Sequence, residues 1–239
     1  MCGKVFSVYH LHSVNHTIRD NLKMGKTIIA ILAAAVITPA AFSASADTLM
    51  GAEIELNAWS QDTSYKGSEA GSEVNWTFEA AFEHPIPLVP NIRYSRSSAG
   101  GEQLEYSKQD VSLYYEILDN GLISVDVGGG LSKLEDGVLD VMGGLDFEGA
   151  FPHAYGAAEI GLPGTAISAF VRGNGIMYND IEVMDLNVGL KNTLQLGLVD
   201  VDLQLGYRIQ SFDLEDFDSL PVALDTEVKG AYVGVNFDF

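Results

Sequence analysis

Ala231-Tyr-Val-Gly-Val-Asn-Phe-Asp-Phe239 alternates apolar with small or polar side chains up to an aromatic carboxyl terminus. Side chains repeat every two residues along a strand, so Ala231, Val233, Val235, Phe237 and Phe239 share one face. That face is oily and the opposite one is not. A strand of about 9–11 residues with one lipid-compatible face is the unit of a membrane-spanning barrel. The same pattern fits the final strand of a soluble sandwich, so the rest of the chain has to decide.

Near the other end, Met24-Gly-Lys26 precedes an apolar stretch from Thr27 to Phe42 and then the small-residue pattern Ala44-Ser45-Ala46. A basic start, an apolar middle and small residues describe a secretory signal peptide, with cleavage expected before Asp47. Pro39 and the small-residue tail leave that middle too short for a comfortable transmembrane anchor. Residues 1–23, with Cys2 and three histidines, read as an upstream extension ahead of the true start at Met24. The expected organisation is therefore 1–23 extension, 24–46 signal and 47–239 mature domain.

The whole chain carries 13 Lys+Arg and 33 Asp+Glu. The leader holds Lys4, Arg19, Lys23, Lys26 and Asp20, so 9 basic and 32 acidic residues remain, a charge of about −23. Such a surface excludes nucleic acid as a partner, because phosphate binding depends on clustered Lys and Arg. The mature chain contains no cysteine, so its fold must satisfy itself by backbone pairing rather than by disulfides.

Past Asp47 no apolar stretch is long enough for a membrane helix, and two-faced strands take its place. Met50, Ala52, Ile54, Leu56 and Ala58 alternate with Gly51, Glu53, Glu55, Asn57 and Trp59, and Val74 to Phe82 alternate with Glu73 to Glu83. Helical periodicity cannot produce this. Further strands are expected over Ile92–Ser97, up to Leu118, from Ile123 to Ser132, and over Ala154–Leu162, Ala166–Gly173, Val183–Lys191 and Val201–Phe212. Asp119-Asn120-Gly121 signals a hairpin, and the three prolines of His84–Asn91 forbid a continuing ladder. The resulting fold is an all-β, transmembrane, antiparallel up-and-down barrel of ten strands, with eight or twelve as alternatives. Gln61–Ser72, Lys133–Pro152, Asn174–Asp180 and Asp213–Asp225 read as long polar outer loops, the second with a hairpin extension through Val138 to Phe147. Asn192–Asp200 fits less well.

Glu83-His-Pro-Ile-Pro-Leu-Val-Pro-Asn-Ile92, Leu113-Tyr-Tyr-Glu-Ile-Leu-Asp-Asn120, Leu162-Pro-Gly-Thr165, Leu205-Gly-Tyr-Arg208 and the terminal Asp238-Phe239 resemble a family of small outer-membrane β-barrel proteins from marine Gammaproteobacteria. The resemblance covers essentially the whole mature chain. It implies fold and location, the cell outer membrane, and no activity or catalytic residue.

The inward positions carry Glu53, Glu55, Glu79, Glu116, Asp126, Glu159, Asp185 and Asp202, with Arg93, Arg172, Lys191 and Arg208 as counter-charges. Two readings stay open: a salt-bridge network filling a narrow barrel, which is preferred because a ten-stranded lumen is only slightly wider than one filled by side chains, or a small cation-preferring path. Of the mature chain's histidines, His84 sits in a proline-rich turn. His153, near the outer end of its strand, suggests at most a rim acid/base pairing with a carboxylate such as Asp180. No serine is fixed against either, so the chain is read as a non-enzyme without metal or cofactor. The acidic outer loops lack a calcium-loop pattern and suggest surface binding, or divalent bridging to lipopolysaccharide, as alternatives. Trp59, Trp76 and eight tyrosines, among them Tyr106, Tyr114, Tyr155 and Tyr232, suggest interface girdles. Expected partners are outer-membrane lipid, lipopolysaccharide and, through the strand ending in Phe239, the barrel-assembly machinery.

Overall fold

The computed structural model describes residues 50–140, 144–178, 181–215 and 217–239; the expected leader lies outside them. Ten strands follow one another: β1 (Gly51–Tyr65), β2 (Ser68–Glu83), β3 (Asn91–Ala99), β4 (Leu104–Asp119), β5 (Ile123–Leu139), β6 (Leu145–Gly161), β7 (Ile167–Tyr178), β8 (Ile181–Gln195), β9 (Asp200–Leu214) and β10 (Leu224–Asp238). Each pairs antiparallel with its neighbours, and β10 returns to β1 with Ile54 opposite Phe237 and Ala58 opposite Val233, closing the barrel. Closure leaves no free sheet edge, which lipid would not tolerate. The start of β1 and the end of β10, with Glu53 opposite Asp238, lie at the same end of the barrel, here called lower.

Ile54, Leu56, Phe78, Leu113, Leu190, Leu203, Leu205 and Val233 project from the outer wall and remain exposed. Together they form an apolar belt around the lower part of the barrel. The belt continues onto the lower turns, where Leu88 and Leu198 are 91% and 94% exposed. A wall of this kind is stable against acyl chains and not against water. No helix among the described residues is long and apolar enough to cross a membrane.

Strand lengths differ from the sequence reading in one systematic way. The stretches taken as long outer loops are mostly paired strand. β1 and β2 run up to a two-residue turn at Lys66 and Gly67, both with positive φ (49° and 73°), the geometry whose twist matches a hairpin. β5 and β6 pair as far as Leu139 opposite Leu145, with a bulge after Leu134, so the anticipated hairpin extension occupies nearly all of 133–152. β7 continues to Tyr178, where Met177 still pairs with Glu182. β8 and β9 meet at Gln195 and Asp200 rather than leaving 192–200 as loop. Only 215–223 remains a sizeable upper connection, and it contains a short 3-10 turn, Phe217–Ser219. The expected contrast of long upper and short lower loops is therefore corrected: long strands, not long loops, extend the upper end.

Above the belt both walls change character together. Along β9 the outer wall passes from Leu205, Tyr207 and Ile209 to Ser211 and Asp213, while the inner wall passes from Arg208 and Gln210 to Phe212 and Leu214. On β5 the outer wall goes from Leu131 to Lys133 as the inner goes from Ser132 to Leu134. On β8 Met184 gives way to Glu182 outside and Asp185 to Val183 inside. The strands keep their pairing through β8–β9 without a slip. The upper half thus carries charge outside and packs Trp59, Leu104, Leu134, Phe147, Phe151, Phe212 and Leu224 inside, the face arrangement of a barrel in water. Fully burying each such side chain contributes about 1.5–3 kcal/mol.

Where β2 and β3 diverge above Thr77–Ser97, β1 seals the gap from inside. Gln61 Nε2 donates to the Ser98 carbonyl at 2.7 Å, and Thr63 Oγ1 to that of Gly100 at 3.2 Å.

Candidate functional site

The lower lumen is filled by ion pairs, some between strands one or two places apart and some spanning it. Arg93 on β3 reaches Glu53 at 2.8 Å and Glu79 at 3.4 Å. Arg172 on β7 crosses to Glu55 at 2.9 Å and Glu79 at 3.2 Å. Higher up, Asp185 accepts from Arg208 Nε at 2.8 Å and Nη2 at 2.7 Å, a bidentate pairing, and from Lys108 at 3.1 Å. Lys191 sits between Glu159 at 2.8 Å and Asp202 at 3.3 Å. Glu116 accepts from Asn91 Nδ2 at 2.8 Å, and Asp126 faces the lower cavity described below. All twelve inward charges named from the sequence thus line one lumen.

Two members of this network were not read from the sequence. Lys108, fully buried, bonds Asp110 at 2.5 Å as well as Asp185. Both extend the inward parity of Ser112 and Tyr114 along β4, so the period of two carries the signal that places them.

His153 lies deep in the lumen rather than at the rim, because β6 begins at Leu145 and not at Ala154. Its Nε2 is 2.8 Å from Ser112 Oγ and its Nδ1 2.8 Å from Ser132 Oγ, which donates to Asp110 Oδ1 at 2.6 Å. Ser132 gives its proton to Asp110 and so accepts from Nδ1–H. That leaves Nε2 to accept from Ser112. Asp180 lies outside the described residues. The order is serine, histidine, serine, carboxylate, so a hydroxyl stands between the imidazole and the carboxylate that would orient it in a nucleophile-activating triad. All four side chains are buried, and the adjoining void of about 20 Å³ holds roughly one water. The chain of bonds fills this level of the lumen. Gly130 makes space for it: a Cβ there would collide with the Val111 carbonyl and the His153 ring. His84 accepts from the Ile86 N–H at 3.2 Å inside its turn.

The aromatic residues divide between two roles. Trp76, Tyr115 and Tyr207 are exposed on the outer wall and Tyr178 at the upper end of β7, whereas Trp59, Tyr106, Tyr114, Tyr155 and Tyr232 are buried inside, correcting the girdle reading for these five. Arg208 stacks over Trp59 at 5.1 Å and Arg93 over Tyr114 at 5.8 Å, so the rings neighbour the cations they help enclose.

Above the ion pairs the lumen holds aromatic and aliphatic side chains. Tyr106 donates to Gln210 at 3.0 Å and meets Phe212 edge-on at 5.3 Å, and Trp59 Nε1 donates to the Gly230 carbonyl at 3.1 Å. Leu220 folds in from the 215–223 connection, which is pinned by Glu148 N–H to Asp218 at 2.9 Å. Below the ion pairs the lumen opens into a cavity of about 780 Å³, lined by Glu53, Glu83, Asp126, Glu159, Lys191 and Asp238 among others.

No family model and no curated protein matches this chain. Solved structures similar to it include Neisserial surface protein A, 13% identical over 79% of this chain and 97% of that one with a TM-score of 0.37. The outer membrane protease OmpT from Escherichia coli is 10% identical over 82% and 99%, TM-score 0.38. The translocator domain of autotransporter NalP from Neisseria meningitidis is 10% identical over 94% and 98%, TM-score 0.42. These likenesses concern barrel architecture and carry nothing about activity; the lipid-facing belt and the filled lumen are properties of this chain's own residues.

Proposed function

We propose that this chain is a non-conducting, structural barrel of the Gram-negative outer membrane, inserted with its chain ends toward the periplasm. The observation that carries this reading is the apolar cluster across the upper lumen, from Trp59 through Tyr106 and Phe212 to Leu224. A water-filled path needs polar walls throughout, and here the polar filling stops below a dry one. Of the two lumen readings, the filled barrel is favoured over the cation path. Outer-membrane lipid is its solvent, and the strand ending in Phe239 is the segment offered to the assembly machinery. Reconstitution into planar bilayers tests the reading: silence is expected, and discrete cation-selective steps would overturn it.

A second reading, surface binding, is favoured by the upper outer wall. Asp62, Glu69, Glu105, Asp146, Glu148, Asp213 and Asp225 are all exposed there. An acidic collar of this kind would meet lipopolysaccharide phosphates through divalent ions. Calcium-dependent protection of the collar from proteolysis is the expected sign, and its absence removes this reading.

A further inference from the structure

The apolar part of the outer wall is shorter than a bilayer is thick. Along β1, β2, β5, β9 and β10 the outward apolar or small residues run over Met50–Ala58, Val74–Phe82, Ile123–Leu131, Val201–Ile209 and Ala231–Phe239. Each such run spans about 27 Å along its strand, which a tilt of about 35–45° reduces to roughly 19–22 Å along the barrel axis. A lipid-facing band is about 25 Å tall. The run cannot be lengthened upward, because the next outward residues are Ser60, Ser72, Lys133, Ser211 and Lys229. Downward it meets no charge. The lower turns 84–90, 120–122, 162–166 and 196–199 contain no Asp, Glu, Lys or Arg, and Ile86, Leu88, Leu122, Leu162, Leu196 and Leu198 are exposed on them.

The β2–β3 turn adds an observation independent of height. Leu88 has φ of 67°, in the left-handed region where a side chain of this kind is seldom found. The turn holds it there. Tyr115 Oη donates to the Leu88 carbonyl at 3.0 Å, the His84 N–H to Asn91 Oδ1 at 3.1 Å and the Ile86 N–H to His84 Nδ1 at 3.2 Å, while Pro85, Pro87 and Pro90 restrict the backbone between them. Because Tyr115 stands on the outer wall, the turn leans outward over that wall. In water, Gly or Asn would suit the position better. A strained residue kept in place with its leucine side chain almost fully exposed marks a use for that side chain.

We infer that the lower turns, Leu88 and Leu198 foremost, are anchors seated among the acyl chains of phospholipid in the periplasmic leaflet. Lipid is the occupant because the uncharged turns continue the apolar belt and supply the height it lacks. The inference rests on the outer wall facing lipid and sets the lower edge of that contact below the strands.

The test replaces Leu88, Leu198, Leu205 and Asp213 singly by cysteine in a Cys2→Ser chain, attaches an environment-sensitive fluorophore, and folds each protein into vesicles containing phospholipid spin-labelled on its acyl chain. Labels at 88 and 198 are expected to lose fluorescence comparably to the label at 205, and the label at 213 to keep it. Quenching at 88 and 198 no stronger than at 213 overturns the inference. If 205 still exceeds 213, the lipid-facing wall stands without the anchors; if it does not, that reading falls as well. A label at 88 that is blue-shifted, unquenched and sensitive to protein dilution assigns the turn to a second copy and likewise overturns the inference. Leu88→Asn gives a readout without a label, since Asn tolerates positive φ. Its urea midpoint in vesicles is expected to fall, and a midpoint unchanged or raised contradicts the anchor.

Discussion

The lower and upper halves of this barrel share the same strands and, along β5, β8 and β9, reverse their face assignments. Below the crossover, leucines and valines face outward and ion pairs fill the lumen; above it, carboxylates face outward and aromatic rings fill the lumen. What changes is the surrounding medium. In water the apolar face turns inward, because burying it is the main favourable term in folding. In acyl chains the exterior gains nothing from being polar, so polar groups retreat to the lumen, where they must find partners. The level at which Ile209–Gln210–Ser211–Phe212 changes phase is therefore where lipid ends.

The largest effect that would sharpen this comparison concerns the lower filling. Asp185→Leu strands Arg208, leaves Lys108 with Asp110 alone, and is expected to destabilise by about 3–5 kcal/mol. Urea unfolding in lipid vesicles, followed by loss of heat-modifiable migration, measures it. The outer wall comes next. Leu205→Lys, within the belt, should cost about 2–4 kcal/mol if it faces the bilayer interior; the same assay would show almost no change if that wall met water. Ser112→Ala removes the donor to His153 and should cost about 1–2 kcal/mol, again read from the urea midpoint. Smallest is Lys229→Leu, on the outer wall above the crossover and paired with Glu227 at 2.6 Å, both nearly half-exposed. A surface pair of this kind contributes at most about 1 kcal/mol. A cost near that of Asp185→Leu would break the distinction between the halves.

Much of the lower half was legible as sequence. Period-two alternation in Met50–Trp59, Val74–Glu83 and Val201–Gln210 assigns both walls, and the Pro-rich 84–90 and Asn120-Gly121 segments mark lower turns. The upper half was not read, because Gly, Ser and Asp in Gln61–Ser72 and Lys133–Pro152 resemble loop composition. The alternation nevertheless continues there in opposite phase: Leu131-Ser-Lys-Leu134 and Ile209-Gln-Ser-Phe-Asp-Leu214 each contain the flip. A reading that lets the oily face change sides at constant register would extend every strand. His153 was misplaced for the same reason, since a strand begun at Ala154 leaves it at a rim. The pairings themselves, Lys108 with Asp185 or Arg172 with Glu55, join residues far apart in the chain. They follow from closure of the barrel and from no local pattern.

The central claim is that the phase change along each strand is the edge of the membrane. Single cysteines at the outward positions Leu203, Leu205, Tyr207, Ile209, Ser211 and Asp213, introduced one at a time into a mature chain that has none, test it most directly with a membrane-impermeant thiol reagent applied to vesicles. Protection from 203 through 209 and full labelling at 211 and 213 is the expected result. Labelling at every position, or protection that persists through 213, would contradict it.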